Sequence, residues 1–318
     1  MARVLVTGGA GFIGSHLCRA LVARGDAVIC LDDLSTGRLR NITDLRERGD
    51  FTFVEHDVAR PYSFEVEAIF NLACPASPRN YQRDPVRTLD TCYLGTRNAL
   101  ELARARGIPA LQASTSEVYG DPAEHPQTEG YRGNVDPTGP RACYDEGKRV
   151  AESLCRGYAD RDAVDVRIAR IFNTYGPGMC ADDGRVVPTF LSQIINRQPL
   201  TVFGDGQQTR SFCYVTDLVR GLLALMAYDG LRAEPVNLGN PHESTVAELA
   251  RVVSQIGGRK LEIECRSLPD QDPRRRQPDI TRARALLGWA PSVGLREGLA
   301  MTLAAMASAP DELREAMS

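Results

Sequence analysis

The first half of the chain alternates short apolar runs with longer stretches whose apolar residues recur every three or four positions. Val4-Leu5-Val6 predicts a buried strand, Ile13–Arg24 a helix and Ala27–Leu31 a second strand, and Phe51–Val54 and Ala68–Leu72 continue the series. A helix is expected from about Val86 to Arg106, a strand at Ala110–Ala113, a helix through Tyr144 and Lys148, and a strand at Val164–Ala169. Strands that are apolar throughout and separated by helices predict a doubly wound parallel sheet covered on both faces. Beyond residue 173 the texture changes. Gly176-Pro177-Gly178, Gly204-Asp205-Gly206 and Gly239-Asn240-Pro241 punctuate helices that alternate with single strands. This predicts a smaller C-terminal α/β lobe over the sheet's carboxyl edge, where ligands of open α/β folds bind. The division expected is 1–172 and 173–318, with some elements shared.

Composition narrows the class. With 318 residues, 43% of them hydrophobic, the chain can bury a large core. A net charge of −3 with mixed signs predicts neither a nucleic-acid nor an anionic-membrane surface. The run Arg274, Arg275, Arg276 is short enough to be a solvated loop. No apolar stretch approaches the roughly 18 residues of a membrane span, and Met1 leads directly into a strand, so no signal peptide is expected. Nine cysteines without a C-x-x-C pair read as reduced, mostly buried small hydrophobes, and four histidines without ligand spacing predict no metal site. A cytoplasmic protein is the expectation.

Thr7-Gly8-Gly9-Ala10-Gly11-Phe12-Ile13-Gly14 follows the first strand and opens the first helix. In that strand–turn–helix setting Gly8 permits the tight turn, Gly11 lets backbone approach a pyrophosphate, and Gly14 lets the helix pack on the strand. The helix N-terminus offers free N–H groups to the anion. Asp32 closes the second strand 18 residues past Gly14, where an acid hydrogen-bonds an adenosine ribose. Its charge favours NAD over NADP, although Arg38 is near. Asp57 is a candidate for the adenine amino group, or else a plain turn residue. Phe12, Ile13, Val58, Leu72, Thr91, Tyr144 and Lys148 complete the expected cofactor contacts. Together these features predict a Rossmann-type fold.

Lys148 and Lys260 are the only lysines, against 36 arginines among 38 basic residues. Lys148 follows Tyr144 by four positions, so on a helix both project from one face. An ammonium beside a phenol favours the phenolate, which predicts a tyrosine able to take a proton from a substrate hydroxyl. An ordinary amphipathic surface would show the same pair.

Ser114-Thr115-Ser116-Glu117-Val118-Tyr119-Gly120 follows an apolar strand and so lies at the sheet's carboxyl end. With the Tyr144/Lys148 pair and the Gly8/Gly11/Gly14 turn, the chain resembles the extended short-chain dehydrogenase/reductase family. Ala113–Pro122, Gly139–Arg149, Arg170–Pro177, Asp182–Val187 and Arg276–Ile280 are similar to its UDP-glucuronate decarboxylases (UDP-xylose synthases), from Met1 to about residue 308. The resemblance implies a homodimer that holds and recycles NAD and turns UDP-glucuronate into UDP-xylose and CO₂ through a 4-keto intermediate. It implies that Tyr144 is the base, Thr115 orients the 4-oxygen, and Lys148 also holds the nicotinamide ribose. Glu117 is implied in decarboxylation, and Arg276 in handling the carboxylate or reprotonating carbon 5. For the nucleotide, Asn173, Arg185 and Arg210 are expected on UDP or its pyrophosphate. Tyr158 and Tyr214 are expected to line the same groove, and Phe203 to face uracil.

Ser116 stands where the related 4,6-dehydratases carry an Asp, and a serine is a poor general acid at neutral pH. Three departures from the resemblance stand out. Asp90 replaces a basic residue, Cys92 an Asn, and Gly178 an Arg. A nucleotide-sugar 4-epimerase or 4,6-dehydratase, or an NAD-binding regulator without catalysis, are the alternative readings.

Overall fold

The computed structural model describes residues 1–180, 184–260, 262–267 and 275–308. Asp182 and Asp183 of the quoted motif, and Arg274 of the arginine run, lie outside the described residues. Seven parallel strands form one sheet, in the order Pro235–Leu238, Val166–Ile171, Ala110–Thr115, Ala68–Asn71, Arg3–Thr7, Ala27–Asp32, Phe51–Glu55. Strand Arg3–Thr7 pairs on both sides: Val4 lies opposite Val28 on one neighbour and Ala68 on the other. A strand buried on both faces has no polar side to show, which is why these runs are apolar without alternation.

One face of the sheet packs against helices Phe12–Ala23 and Val215–Ala227 through Leu17, Leu21, Leu218, Leu222 and Phe70. The other packs against helices Thr96–Arg106 and Ala142–Asp162 through Leu100, Ala103, Cys155 and Ile69. A third apolar cluster, including Phe190, Leu191, Leu249, Val253 and Leu299, sits entirely in the C-terminal half. The sheet strand Pro235–Leu238 also comes from that half, through its parallel pairing with Val166–Ile171.

The strands expected in the first half are all present, within about two residues of their expected ends. The expected helix Val86–Arg106 differs in one respect. It runs as helix Pro85–Asp90, a π-helical turn Thr91–Gly95 and helix Thr96–Arg106. Such turns insert an extra residue into the helical ladder and recur at functional sites. Here the π turn carries Thr91 and Cys92 beside the Tyr144 helix, where Cys92 Sγ would lie 3.0 Å from a Cβ added at Gly147.

Candidate active site

The strand ends open into one cavity of about 1130 Å³. Gly8, Gly11, Phe12, Ile13, Gly14, Asp32, Val58, Leu72 and Thr91 line it at one end, and Asn173, Arg185, Phe203 and Arg210 at the other. Thr115, Glu117, Tyr144, Lys148 and Arg276 line it too. A cavity this size exceeds a usual single-ligand pocket and fits two ligands meeting at Tyr144.

The glycine turn is built for close approach. Gly8 has φ +69°, and a Cβ there would lie 2.8 Å from the Ala73 backbone. A Cβ on Gly14 would come within 2.1 Å of the Gly8 carbonyl oxygen. Gly11 caps the helix Phe12–Ala23 with extended backbone and no side chain over its N–H groups. The turn therefore leaves a bare anion-binding cradle at a helix N-terminus, which fits a dinucleotide pyrophosphate. Asp32 is buried and accepts from the Ala10 amide at 3.0 Å and the Leu34 amide at 2.9 Å. Burial pushes its carboxyl up, and those amides oppose the shift. Each oxygen keeps a lone pair for a ribose hydroxyl.

Tyr144 and Lys148 sit one turn apart on the buried face of helix Ala142–Asp162, 6% and 4% exposed. The amphipathic-surface alternative fails on this burial. Lys148 Nζ donates to the Ala113 carbonyl at 2.9 Å and lies 5.8 Å from the Tyr144 ring centroid. The expected acidification of Tyr144 is not what the protein's own groups produce. Burial pushes the phenol well above its usual value, the Cys74 charge adds to that, and the Thr115 hydroxyl opposes it. The ammonium is committed to a backbone carbonyl, so these groups hold the phenol protonated.

Glu117 is the second residue of the short 3₁₀ turn Ser116–Tyr119 after strand Ala110–Thr115, and Thr115 Oγ1 accepts from its amide at 3.2 Å. Its carboxylate is clamped between two guanidiniums: Arg276 donates through both Nη atoms, and Arg141 through Nη2. Burial alone would raise this carboxyl, but the charges and hydrogen bonds of Arg276 and Arg141 outweigh it and hold it below the usual range. Arg276 is only 6% exposed, so its sequence appearance as part of a solvated loop is overturned. Two cations on one anion leave a net positive charge facing the cavity.

Sequence reasoning gave no role to Arg141 or Tyr81. Arg141 is the residue capping the Tyr144 helix, and its place in the Gly139–Arg149 motif was the available signal. Tyr81 stacks on Tyr144 with centroids 4.9 Å apart and planes 5° from parallel. Nothing in its surroundings in the sequence marks it.

Three expected site residues lie off the cavity lining. The Asp57 side chain accepts from the Ala59 amide at 2.9 Å, closing its own turn, while His56 and Val58 line the cavity on either side. Tyr158 lies about four turns along the helix from Tyr144, and its hydroxyl donates to Glu101 at 2.5 Å. Tyr214 is a core aromatic, T-stacked on Tyr175 at 5.5 Å. Phe203 does line the cavity and is 40% exposed. Asp90 is exposed and outside the lining, so its acid charge is not aimed at a ligand there. Gly178 lines the cavity with φ +86°.

A glycine cradle, a ribose-side acid and a buried Tyr/Lys pair at a sheet's carboxyl edge define a dinucleotide-dependent redox site. The model of the NAD dependent epimerase/dehydratase family matches residues 4–239, and the chain belongs to that family. NAD is its cofactor. UDP-glucuronic acid decarboxylase 2 of Arabidopsis thaliana is 54% identical over 297 residues, 93% of this chain and 66% of that one. UDP-glucuronic acid decarboxylase 1 of Xenopus tropicalis is 52% identical over 301 residues, 95% and 71% of the two chains. The chain thus spans about two thirds of the length of these relatives. The structure of UDP-glucuronic acid 4-epimerase from Bacillus cereus, in complex with UDP-glucuronic acid and NAD, superposes with a TM-score of 0.84. That match is 26% identical and covers 96% of this chain and 98% of the other.

Proposed function

We propose that the chain is a UDP-glucuronate decarboxylase that makes UDP-xylose and CO₂ and recycles its NAD. The observation that carries this reading is the Arg141–Glu117–Arg276 clamp beside Tyr144. A net positive patch receives a sugar carboxylate, and a carboxylate flanked by cations stays ionised and in place. The similarity to decarboxylases of plants and animals supports the same assignment.

Gly8, Gly11, Gly14 and Asp32 would hold NAD, which when bound accepts and returns the hydride of carbon 4 and brings a positively charged ring that favours the phenolate. The oxygen of Tyr144 takes the proton of the 4-hydroxyl, and Thr115 orients that 4-oxygen. Oxidation at carbon 4 makes the neighbouring acid a β-keto acid, whose carboxylate leaves as CO₂ while the carbonyl accepts the electron pair as an enolate. Arg276 and Arg141 position the carboxylate before it leaves, and Glu117 orients both; the enolate then takes a proton from solvent at carbon 5, and Tyr144 returns its proton to the 4-oxygen. Ser116 supplies no strong acid, so a hydroxyl is not expelled. Arg185, Arg210 and Asn173 hold the diphosphate, and Phe203 offers an apolar face to the base. Residues 1–172 supply the NAD-binding part and 173–318 most of the nucleotide-sugar part, in a cytoplasmic homodimer.

The test is to incubate purified protein with UDP-glucuronate and weigh the product. Loss of one CO₂ supports the reading. Loss of one water marks a dehydratase and an isobaric product an epimerase, and either overturns it.

A further inference from the structure

One thiol in the cavity wall, and a second buried directly behind it, are used by neither the proton transfer nor the nucleotide contacts. Cys74, in the loop after strand Ala68–Asn71, lines the cavity and is partly exposed. Cys92, on the π turn, is 2% exposed and outside the lining, with its Sγ 3.4 Å from that of Cys74. We propose that Cys74 and Cys92 are an oxidisable dithiol which reacts with small-molecule disulfides of the glutathione type and closes to a disulfide that switches off turnover.

Access orders the two thiols. An oxidant entering the cavity meets Cys74 first and can reach Cys92 only through it. Charge orders them in the same sense. The hydrogen bond with Cys92 lowers the Cys74 thiol to about 7, with burial opposing and the Lys148 ammonium assisting. The same hydrogen bond, seen from the other side, pushes Cys92 well up. Cys74 is thus the attacking thiolate near neutrality and Cys92 the protonated resolving thiol. The contrasting pair Cys18 and Cys30 is fully buried behind Gly9, out of an oxidant's reach.

In the first step the Cys74 thiolate attacks one sulfur of oxidised glutathione, forming a mixed disulfide and releasing one glutathione thiolate. In the second the Cys92 sulfur gives up its proton and attacks the Cys74 sulfur, expelling the other glutathione thiolate, which takes that proton. Two protein thiols are oxidised by two electrons, and one small disulfide is reduced to two thiols. Forming the bond brings the sulfurs to about 2.05 Å. The shift falls on a loop and a π turn rather than on a regular sheet or helix. It also pulls on Cys92, which abuts Gly147 next to Lys148 on the helix that carries Tyr144, and so displaces the catalytic pair.

The experiment treats the whole chain with oxidised glutathione, then maps peptides without reduction and measures turnover before and after dithiothreitol. The expected result is a peptide joining Cys74 to Cys92, with at least a tenfold fall in kcat that dithiothreitol restores. Cys92→Ser should keep the untreated activity and stop at a glutathione adduct on Cys74. An absent Cys74–Cys92 link, or a link formed without loss of turnover, overturns the proposal. The turnover arm rests on the decarboxylase reading, whereas the peptide map stands whatever the substrate is.

Discussion

At the scale of single residues, Tyr144 is asked for one proton transfer, worth about 10²–10⁴ in rate. Tyr144→Phe should therefore lower kcat by about that factor while NAD binding by calorimetry stays within twofold. An unchanged kcat would assign the proton to another group. Glu117→Gln keeps the shape but weakens the hold on Arg141 and Arg276, and should let NADH absorbance build up before CO₂ is lost. Full turnover in that variant would remove Glu117 from the mechanism. Beside it, the buried Asp145 has an oxygen without a partner, and burial together with the Glu117 charge raises its carboxyl to about 7. A raised acid binds its proton more tightly in the folded state, so its contribution to stability is present at low pH and is lost as pH rises from about 4 to 7. At about 1.4 kcal/mol per unit, the ceiling is about 4 kcal/mol. Urea unfolding at pH 5 and pH 8 should show a smaller difference in Asp145→Asn than in the parent. Tyr144, Lys148 and Glu117 were legible because spacing or motif marks them. Asp57, Tyr158 and Tyr214 were misplaced because a polar or aromatic residue near a motif reads alike whether it faces a ligand, a turn or the core.

At the scale of elements, the turn Gly8–Gly14 was legible because backbone sterics leave few residues able to make it. Gly14→Ala puts a methyl 2.1 Å from a carbonyl that has no room to yield. It should cost about 1–3 kcal/mol of stability by overpacking and weaken NAD binding at least tenfold by calorimetry. The π turn Thr91–Gly95 was not legible, since one inserted residue shifts the helical phase without changing which residues are apolar. Nor was the clasp formed by Asp217. This buried carboxylate in the first turn of helix Val215–Ala227 accepts from the amides of Ser292 and Val293, both at 2.8 Å, and from the Ser292 hydroxyl at 2.8 Å. Burial alone would raise it, but the Val293 amide, Arg220 and Ser292 together hold it below the usual range. A depressed acid stabilises above its unfolded value and loses that contribution as pH falls through the folded one. Asp217→Asn should cost about 2–4 kcal/mol at pH 7. Its deficit in thermal unfolding should shrink towards pH 3, and a constant deficit would mean that charge is not what the clasp uses.

At the scale of the whole molecule, the two helices that carry the Tyr144 side of the site have an unusual outer face. Val86, Leu89 and Tyr93 on the first helical run and Val150 on the Tyr144 helix are exposed large apolar residues. Four on packed neighbouring elements form more than the scattered single residues a surface tolerates, and grouped apolar exposure marks an association site. A second copy of the same face would cover it with the self-complementary symmetry of a two-fold dimer. The opposite face of that helix buries Tyr144 and Lys148, so association would also steady the catalytic pair. Light scattering should therefore give twice the chain mass for the parent. Tyr93→Arg combined with Val150→Glu should give the chain mass, with kcat falling further than the midpoint of unfolding predicts. A parent that scatters as a single chain at micromolar concentration would refute the pairing, and a monomeric variant with full kcat would show that the site stands without it.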